Sequence, residues 1–308
     1  MNLVSDGALV QSAILLQEYA LIAADRAALP MHPAIAGGYL GMGNESQTVT
    51  RTLAGLGTAE AATISESGQV VTTDIGFSDY SATVVRKSLG RSRSDLLKFY
   101  DRTGVLRDPA ALAFDASVTR SNTLLTMVAA AAATASTGVS VSSGTALTYA
   151  KFVEAKQTLV QTGQDFAPGS LLAILHPKQW ANIETEMIST SLGDAVTHNA
   201  EAYTIQLAQA IGYQGRYRGV DVFTTTRVAT ANSGADSRGV LLAPGGVAWA
   251  EGMIEADPDG FMDILDGGRL QIERERDASR MTKAMYYNFL LGVSLGEDAR
   301  VITITSDR

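Results

Sequence analysis

Residues 269–305 read RLQIERERDASRMTKAMYYNFLLGVSLGEDARVITIT, and they contain the clearest strand pattern of the chain. Side-chain character alternates from one residue to the next over residues 270–277. The even positions hold Leu270, Ile272, Arg274 and Arg276, and the odd positions hold Gln271, Glu273, Glu275 and Asp277. Because successive side chains of a strand point to opposite faces, this pattern puts arginines on one face and carboxylates on the other. Residues 284–293 and 301–305 predict two further strands.

Upstream of this region the chain alternates between helical and strand patterns. Residues 109–136 predict a long helix with Pro109 in its first turn, and the absence of charge between Arg120 and Lys151 indicates that its C-terminal half is buried. The short apolar run at 171–175 leads through His176 into a predicted helix, which is typical of an α/β unit. Further helices are predicted at 5–28, 149–162, 178–188 and 200–211, strands at 220–226 and 240–242, and a loop at 229–239.

Two segments lack the composition of an independent core. Residues 29–57 are rich in proline and glycine, which predicts an arm that crosses a surface. Residues 63–85 contain β-branched runs broken by Ser-Gly and Gly-Phe-Ser-Asp, which predicts a long two-stranded excursion. An isolated hairpin is marginally stable at best in water, so this excursion must lie on another surface.

Charge is unevenly distributed along the chain. Residues 1–85 hold two basic and eight acidic side chains, whereas the basic residues of the chain concentrate between positions 86 and 107. The adjacent aromatic residues Phe99 and Tyr100 are not interleaved as nucleic-acid stacking platforms would be. An electrostatic match between identical copies explains both clusters with one assumption. The candidate subunit-contact residues are Arg86, Lys87, Arg91, Arg93, Asp74, Asp79, Arg274, Arg276, Glu273 and Glu275.

Composition limits the class of protein. The 308 residues are 46% hydrophobic and 18% charged, enough to bury a core in one large or two ordinary domains. The absence of cysteine excludes disulfides and thiolate chemistry. The longest apolar candidate, residues 124–133, is half the length of a membrane span, and the first ten residues lack a basic region. We therefore expect a protein that is neither membrane-bound nor secreted. Its net charge of −8 disfavours sequence-independent electrostatic binding to nucleic acid.

No motif predicts a catalytic, cofactor-binding or metal-binding residue. Gly292-Val293-Ser294-Leu295-Gly296 matches G-x-S-x-G, but only twelve residues follow and none is histidine, so a hydrolase using Ser294 is an unfavoured alternative. The three histidines, His32, His176 and His198, lie too far apart for a local metal motif. The acidic run 251–266 lacks the spacing of an EF-hand.

The order of these parts resembles the major capsid proteins of tailed bacteriophages with the HK97 fold. The resemblance lies in DIGFSDYSATVVRKSLGRSRSDLLKFYD at 74–101, in the helix at 109–136, in LLAILHPKQWANIE at 171–184 and in the segment quoted first. It implies an α+β fold in which residues 1–45 form an N-terminal arm and 46–90 an extended β-hairpin loop. It also implies a peripheral domain with a long spine helix (91–160 and 251–308) and an axial α/β domain (161–250).

The resemblance implies a structural protein that self-assembles into an icosahedral shell around packaged double-stranded DNA, in the virion capsid and after assembly in the host cytoplasm. Its implied partners are copies of itself in pentamers and hexamers, a separate scaffolding protein, a portal, a decoration protein, and DNA without sequence-specific contact. Thr48–Val85 contains no lysine, so the lysine-mediated cross-link of some family members is not expected. The alternatives are an encapsulin-like nanocompartment, a surface lattice protein and the Ser294 hydrolase.

Overall fold

The computed structural model describes residues 32–43, 47–54, 77–94, 109–141, 143–161, 169–189, 213–253, 262–265, 270–277 and 282–308. The helices in these ranges are α1 (Pro33–Ala36), α2 (Pro109–Ala132), α3 (Tyr149–Gln161) and α4 (Pro177–Ser189). The strands are β1 (Tyr39–Gly43), β2 (Thr48–Ala54), β3 (Phe77–Thr83), β4 (Val85–Ser94), β5 (Gly138–Ser140), β6 (Leu171–Leu175), β7 (Tyr213–Tyr217), β8 (Val220–Thr224), β9 (Ala229–Ala231), β10 (Asp236–Leu242), β11 (Val247–Gly252), β12 (Met262–Leu265), β13 (Leu270–Asp277), β14 (Thr282–Leu295) and β15 (Val301–Asp307).

Two mixed sheets organise the chain. A six-stranded sheet has the order β1-β11-β14-β13-β12, with β4 also paired to β14. A seven-stranded sheet has the order β5-β15-β10-β6-β8-β7, with β9 added beside β10. Strands β2 and β3 form a separate two-stranded hairpin. The architecture is therefore a strand-rich mixture of α and β structure with few helices in the described part of the chain.

The strand β6 shows how the seven-stranded sheet is buried on both sides. All five of its residues are buried. Leu171, Ala173 and Leu175 pack with helices α3 and α4, whose buried residues include Phe152 and Ile183. Leu172 and Ile174 point the other way and pack in a cluster that contains Val128 of α2. The continuous apolar run predicted a buried strand for this reason, and that prediction is confirmed.

Helix α2 joins the two sheets. Its Val128, Ala129 and Ala132 are fully buried in the C-terminal half, as the missing charges predicted. Val128 and Ala132 share one core with residues of both sheets, among them Val240 and Tyr287. Small side chains in this half of the helix let its backbone approach the sheets closely. No described helix combines the length and apolar character needed to cross a bilayer.

Three sequence predictions about strands were wrong. Strand β11 was missed because its six residues follow a Pro-Gly-Gly turn and show no alternation, being buried throughout. Strand β1 lies in the predicted arm and pairs in parallel with β11, so its strand geometry comes from a long-range partner. The predicted loop at 229–239 contains β9 and the beginning of β10, which pair with each other.

The predicted domain boundaries also differ from the boundaries of the observed sheets, at strands β11 and β15. Strand β11 was assigned to the axial segment, but it pairs with β14 in the six-stranded sheet. Strand β15 was assigned to the peripheral segment, but it pairs along its whole length with β10 in the seven-stranded sheet. The chain therefore crosses between the sheets after residue 246 and again after residue 296. Predicted helices at 5–28 and 200–211 lie outside the described residues.

Candidate functional site

The basic strand β4 lies beside β14 and carries the charges that the sequence singled out. Its ten residues pair antiparallel with β14, from Val85 opposite Leu291 to Ser94 opposite Thr282. In the described part of the chain no second strand pairs with β4, which leaves it as an edge strand. Charged side chains on an edge discourage uncontrolled pairing with other strands. An edge of this kind contacts another chain through its side chains first.

The basic residues of β4 differ in their surroundings. Lys87 and Arg91 share the face of Phe289 and Met285, the face on which α2 lies. Arg91 donates to Asp115 of α2 from Nε at 3.3 Å and from Nη2 at 3.4 Å. Both side chains of this pair are exposed, so it contributes at most about 1 kcal/mol. Among the described residues, neither Arg86 nor Lys87 has a carboxylate partner within salt-bridge distance, so both remain available to another copy.

Strand β13 has the predicted two-faced charge pattern in its backbone register. Leu270 and Ile272 are buried in the α2 core, which identifies the face of the even positions. Arg274 lies opposite Met285, which on its other side lies opposite Arg91. The side chains of three predicted contact residues, Arg93, Arg274 and Arg276, are outside the described set.

The carboxylates of β13 lie on the opposite face and accept hydrogen bonds from neighbouring polar groups. The hydroxyl of Tyr286 donates to Glu275 at 3.0 Å, and this contact raises the pKa of the tyrosine. The side-chain amide of Asn288 lies 3.5 Å from Glu273 Oε2 and 3.3 Å from Gln271 Oε1. Neither glutamate has a cation within salt-bridge distance among the described residues. In the described part of this face, the two glutamates are therefore bound by neutral hydrogen-bond donors rather than by cations.

The hairpin β2–β3 stands next to these charges. Its register runs from Thr48 opposite Thr83 to Ala54 opposite Phe77. The predicted excursion began too late, at 63, because the partner of β3 is the upstream segment 48–54. Asp79 lies opposite Thr52 and is exposed, whereas Asp74 lies outside the described residues.

The root of the hairpin is fixed to the six-stranded sheet on the side opposite α2. Ala82 and Val84 pack with Ala250 and Leu290. Ser294 Oγ donates to the carbonyl of Ser81, and the Tyr80 hydroxyl donates to Glu297 at 3.3 Å. A Cβ atom on residue 292 would lie 2.4 Å from the carbonyl oxygen of Thr83, so only glycine permits this approach.

Ser294 is therefore a structural residue of β14. A nucleophile elbow needs a sharp turn from a strand into a helix. Here residues 292–295 continue an extended strand, and the next described element after β14 is a single 3-10 turn at Asp298–Arg300. The hydroxyl is already engaged with the hairpin backbone. Nothing in this geometry supports the hydrolase alternative.

One buried cluster of ionisable groups was not foreseen from the sequence. Arg216 donates to both oxygens of Asp221 at 2.9 Å, and His32 Nε2 lies 3.1 Å from Asp221 Oδ2. The hydroxyl of Tyr213 donates to Oδ1 at 3.1 Å. Burial alone would raise the pKa of Asp221, but hydrogen bonds from His32 and Arg216 and the Arg216 charge outweigh it, and the pKa is lowered. The side chains of His32 and Asp221 are fully shielded from solvent, so substrate cannot reach them.

This cluster ties the segment before β1 to the seven-stranded sheet. His32 Nδ1 accepts the backbone N–H of Ala34 at 3.1 Å and so caps α1. The indole of Trp249 in β11 donates to the carbonyl of Ile35 at 2.8 Å. Residues 32–43 therefore bridge both sheets. No group of three or more metal-binding side chains occurs within the described ranges.

The fold has counterparts among solved structures, whereas the sequence matches no protein-family model and no curated protein. The capsid of cyanophage P-SCSP1u is similar over 88% of this chain and 86% of its own, with a TM-score of 0.53 and 12% identity. The capsid of Ralstonia phage GP4 is similar over 87% of this chain and 85% of its own, with a TM-score of 0.52 and 13% identity. The holo-SrpI encapsulin complex of Synechococcus elongatus PCC 7942 is similar over 86% of this chain and 83% of its own, with a TM-score of 0.53 and 9% identity. These similarities show a fold shared with phage capsids and an encapsulin.

Proposed function

We propose that this chain is the subunit of a closed protein shell, the major capsid protein of a tailed bacteriophage. The observation that carries the proposal is the fold similarity to phage capsids, which extends over nearly nine-tenths of both chains. A match of this extent covers most of both chains rather than one common motif. The role is structural rather than catalytic.

The proposed parts follow the two sheets. The six-stranded sheet with α2 as its spine is the peripheral domain, and the seven-stranded sheet with α3 and α4 is the axial domain, which gathers around the symmetry axes. Residues 1–45 are the proposed N-terminal arm, and residues 46–90, which include the hairpin β2–β3, are the proposed extended loop. The pairing of β11 with β14 and of β15 with β10 supports assigning β11 to the proposed peripheral domain and β15 to the proposed axial domain.

The exposed hairpin supports an assembly role. Arg51, Asp79 and Ser81 are exposed along its described part, whose contacts with the rest of the chain are a small apolar cluster and a few hydrogen bonds. Because two strands alone are marginally stable, the hairpin gains order by lying on a neighbouring copy. Repetition of such modest contacts closes a shell while wrong contacts still dissociate.

The charged surfaces supply the proposed complementarity between copies. Arg86 and Lys87 on β4 and Glu273 and Glu275 on β13 have opposite signs and no ion pair among the described residues. Their outward position suits steering and register between subunits. The other proposed contact residues are Arg91, Arg93, Asp74, Asp79, Arg274 and Arg276.

The further partners are a scaffolding protein, a portal, a decoration protein and packaged DNA held without sequence-specific contacts. The net charge of −8 suits a container for DNA, because an adhesive basic lining would resist repacking of the duplex. The shell belongs to the virion and is assembled in the host cytoplasm.

An encapsulin-like compartment is the second candidate, favoured by the similarity to the Synechococcus complex. The experiment that tests both is expression of the full chain alone and with its genomic neighbours, followed by negative-stain electron microscopy and light scattering. We expect uniform closed particles. Particles that copurify with an enzyme and form without scaffolding protein would favour the compartment, and a chain that stays monomeric under both conditions would contradict the shell function.

A further inference from the structure

A groove on the outer side of helix α3 is not explained by the fold. It has a volume of about 520 Å³ and lies between α3 and the turn that joins β7 to β8. Phe152, Val153 and Val160 form its apolar part, and Val160 is 39% exposed, one of the few large apolar side chains left so open. Such a surface is suited to an apolar side chain from outside.

Two cations stand together at the rim of this groove. The ammonium group of Lys156 donates to the carbonyl of Arg218, and Arg218 Nε donates to the hydroxyl of Tyr149 at 2.8 Å. Neither cation has a carboxylate partner among the described residues. Burial and the neighbouring Arg218 charge lower the pKa of Lys156. Two like charges held side by side without a counter-ion favour the arrival of an anion.

The backbone holds Arg218 in an unfavourable conformation. Arg218 and Gly219 form a two-residue turn with φ angles of 54° and 78°. Glycine or asparagine usually occupies the first position of such a turn, because a left-handed conformation costs free energy for other residues. Arg218 lies against the ring of Tyr149, with Cζ 6.0 Å from the ring centre. A residue with a strained backbone whose side chain is held in one orientation is typical of a recognition site.

We infer that this groove receives an acidic segment with an apolar side chain from a second copy of this chain. Charge complementarity argues for this occupant, because the chain carries 32 acidic and 24 basic residues and the charged side chains of the described lining, Lys156 and Arg218, are both cations. The apolar floor adds a site for one buried side chain beside the carboxylate. The inference rests on the proposed function and adds a contact formed through the seven-stranded sheet.

The variant Arg218→Gly separates recognition from folding. Glycine relieves the left-handed turn, so the unassembled chain should melt at the same or a higher temperature. Removal of the guanidinium should raise the chain concentration needed for half-maximal assembly by about fivefold, because the lost contact recurs in every copy. Lys156→Gln should act in the same direction. Lys151→Gln on the same helix, whose amine is already 2.7 Å from Glu154, is the matched control and should leave assembly unchanged.

A photoreactive p-benzoylphenylalanine at position 160 identifies the occupant in the full chain. We expect a cross-link to a carboxylate-containing peptide of a second copy, both in shells and in concentrated unassembled chain. If shells form but Arg218→Gly assembles normally and no link between copies is found, the groove inference is wrong while the shell function stands. If no shells form, the shell function fails, and the presence or absence of linked dimers in concentrated chain still decides the groove. A link to a different protein also contradicts the inference.

Discussion

At the scale of single residues, the network around Asp221 contains the most strongly coupled charges of the described structure. Asp221 is fully buried. Its carboxylate oxygens accept two hydrogen bonds from Arg216, and His32 Nε2 lies within hydrogen-bond distance of one of them. His32 caps α1 with its other nitrogen, which therefore carries no proton in this geometry. The sequence offered no signal for this arrangement, because its members are separated by up to 189 positions. A histidine before proline reads only as a turn or cap residue.

Replacement of Asp221 by Asn should destabilise the chain strongly. The substitution keeps the shape but leaves the buried Arg216 without its counter-charge, which costs about 3–5 kcal/mol in the free energy of unfolding. Urea denaturation of the unassembled chain measures this loss. Asp115→Asn, which breaks the exposed pair with Arg91, is the control and should cost no more than about 1 kcal/mol. Equal losses from both variants would contradict the assigned network.

The same network predicts a dependence on pH. The pKa of Asp221 is lowered from 3.8, so the unfolded chain takes up a proton at a higher pH than the folded chain does. The Asp221 contribution is therefore complete at neutral pH and is lost as the pH falls below the ordinary range of aspartate. Denaturation curves between neutral pH and pH 3 should show a steeper acid decline for the wild-type chain than for Asp221→Asn. Parallel declines would show that Asp221 is not the group responsible.

Gly292 makes a second residue-scale prediction. In Gly292→Ala the new Cβ would meet backbone atoms of Thr83, which cannot rotate away as a side chain would. We expect a loss on the order of 2 kcal/mol and faster amide exchange at the hairpin root. Gly90→Ala is the control, since its Cβ would meet only the ring of Tyr286 at 3.2 Å. Unchanged exchange at residues 81–84 would contradict the close approach.

At the scale of secondary-structure elements, those with a clear local residue pattern were predicted from the sequence, and those defined by distant pairing were not. Strand β13 was predicted to the residue because its alternation is complete within eight positions. Strand β6 and helix α2 were recognised from continuous apolarity and missing charge. Strands β1 and β11 were not, because each is defined by its pairing with a distant segment and Gly41 and Gly43 resemble turn residues. The basic residues 86–94 were noted for their charge but not predicted as a strand, and the Arg91–Asp115 pair needed the structure.

The extended hairpin can be shortened without changing its paired strands. Replacing residues 55–76 by Asn-Gly connects Ala54 to Phe77, which are register partners, through a two-residue turn. We expect the unassembled chain to keep its melting temperature and the yield of particles to fall at least several-fold. Light scattering and electron microscopy measure the yield. A full yield of normal particles would contradict the role of the hairpin as a clasp on a neighbour.

The edge strand β4 makes the second element-scale prediction. Arg86→Glu with Lys87→Glu places negative charge where an acidic neighbour is expected, and like charges across an interface reduce association. Particle yield should fall while the circular dichroism spectrum of the unassembled chain stays unchanged. Lys151→Glu on α3 is a charge-reversal control away from this edge. Equal particle yields from the Arg86→Glu/Lys87→Glu variant and the Lys151→Glu variant would exclude β4 as a contact surface.

At the scale of the whole molecule, the two sheets form one connected body, and the described strands of the hairpin lie against one face of the six-stranded sheet. Helix α2 and residues 32–43 each contact both sheets, so strain applied to one is transmitted to the other. A single copy gains no stability from the hairpin β2–β3 or from the edge strand β4, whose charged side chains are all basic. Both become useful when identical copies complete each other, which is the property shared by shell-forming subunits.

The most direct test of this account is a cryo-electron microscopy reconstruction of particles from the full chain expressed with its genomic neighbours. The account predicts a closed icosahedral shell in which the hairpin β2–β3 of each copy lies on a neighbouring copy and the seven-stranded sheets surround the five-fold and six-fold axes. A homogeneous monomer, or an open lattice in which the hairpin touches no other copy, would contradict it.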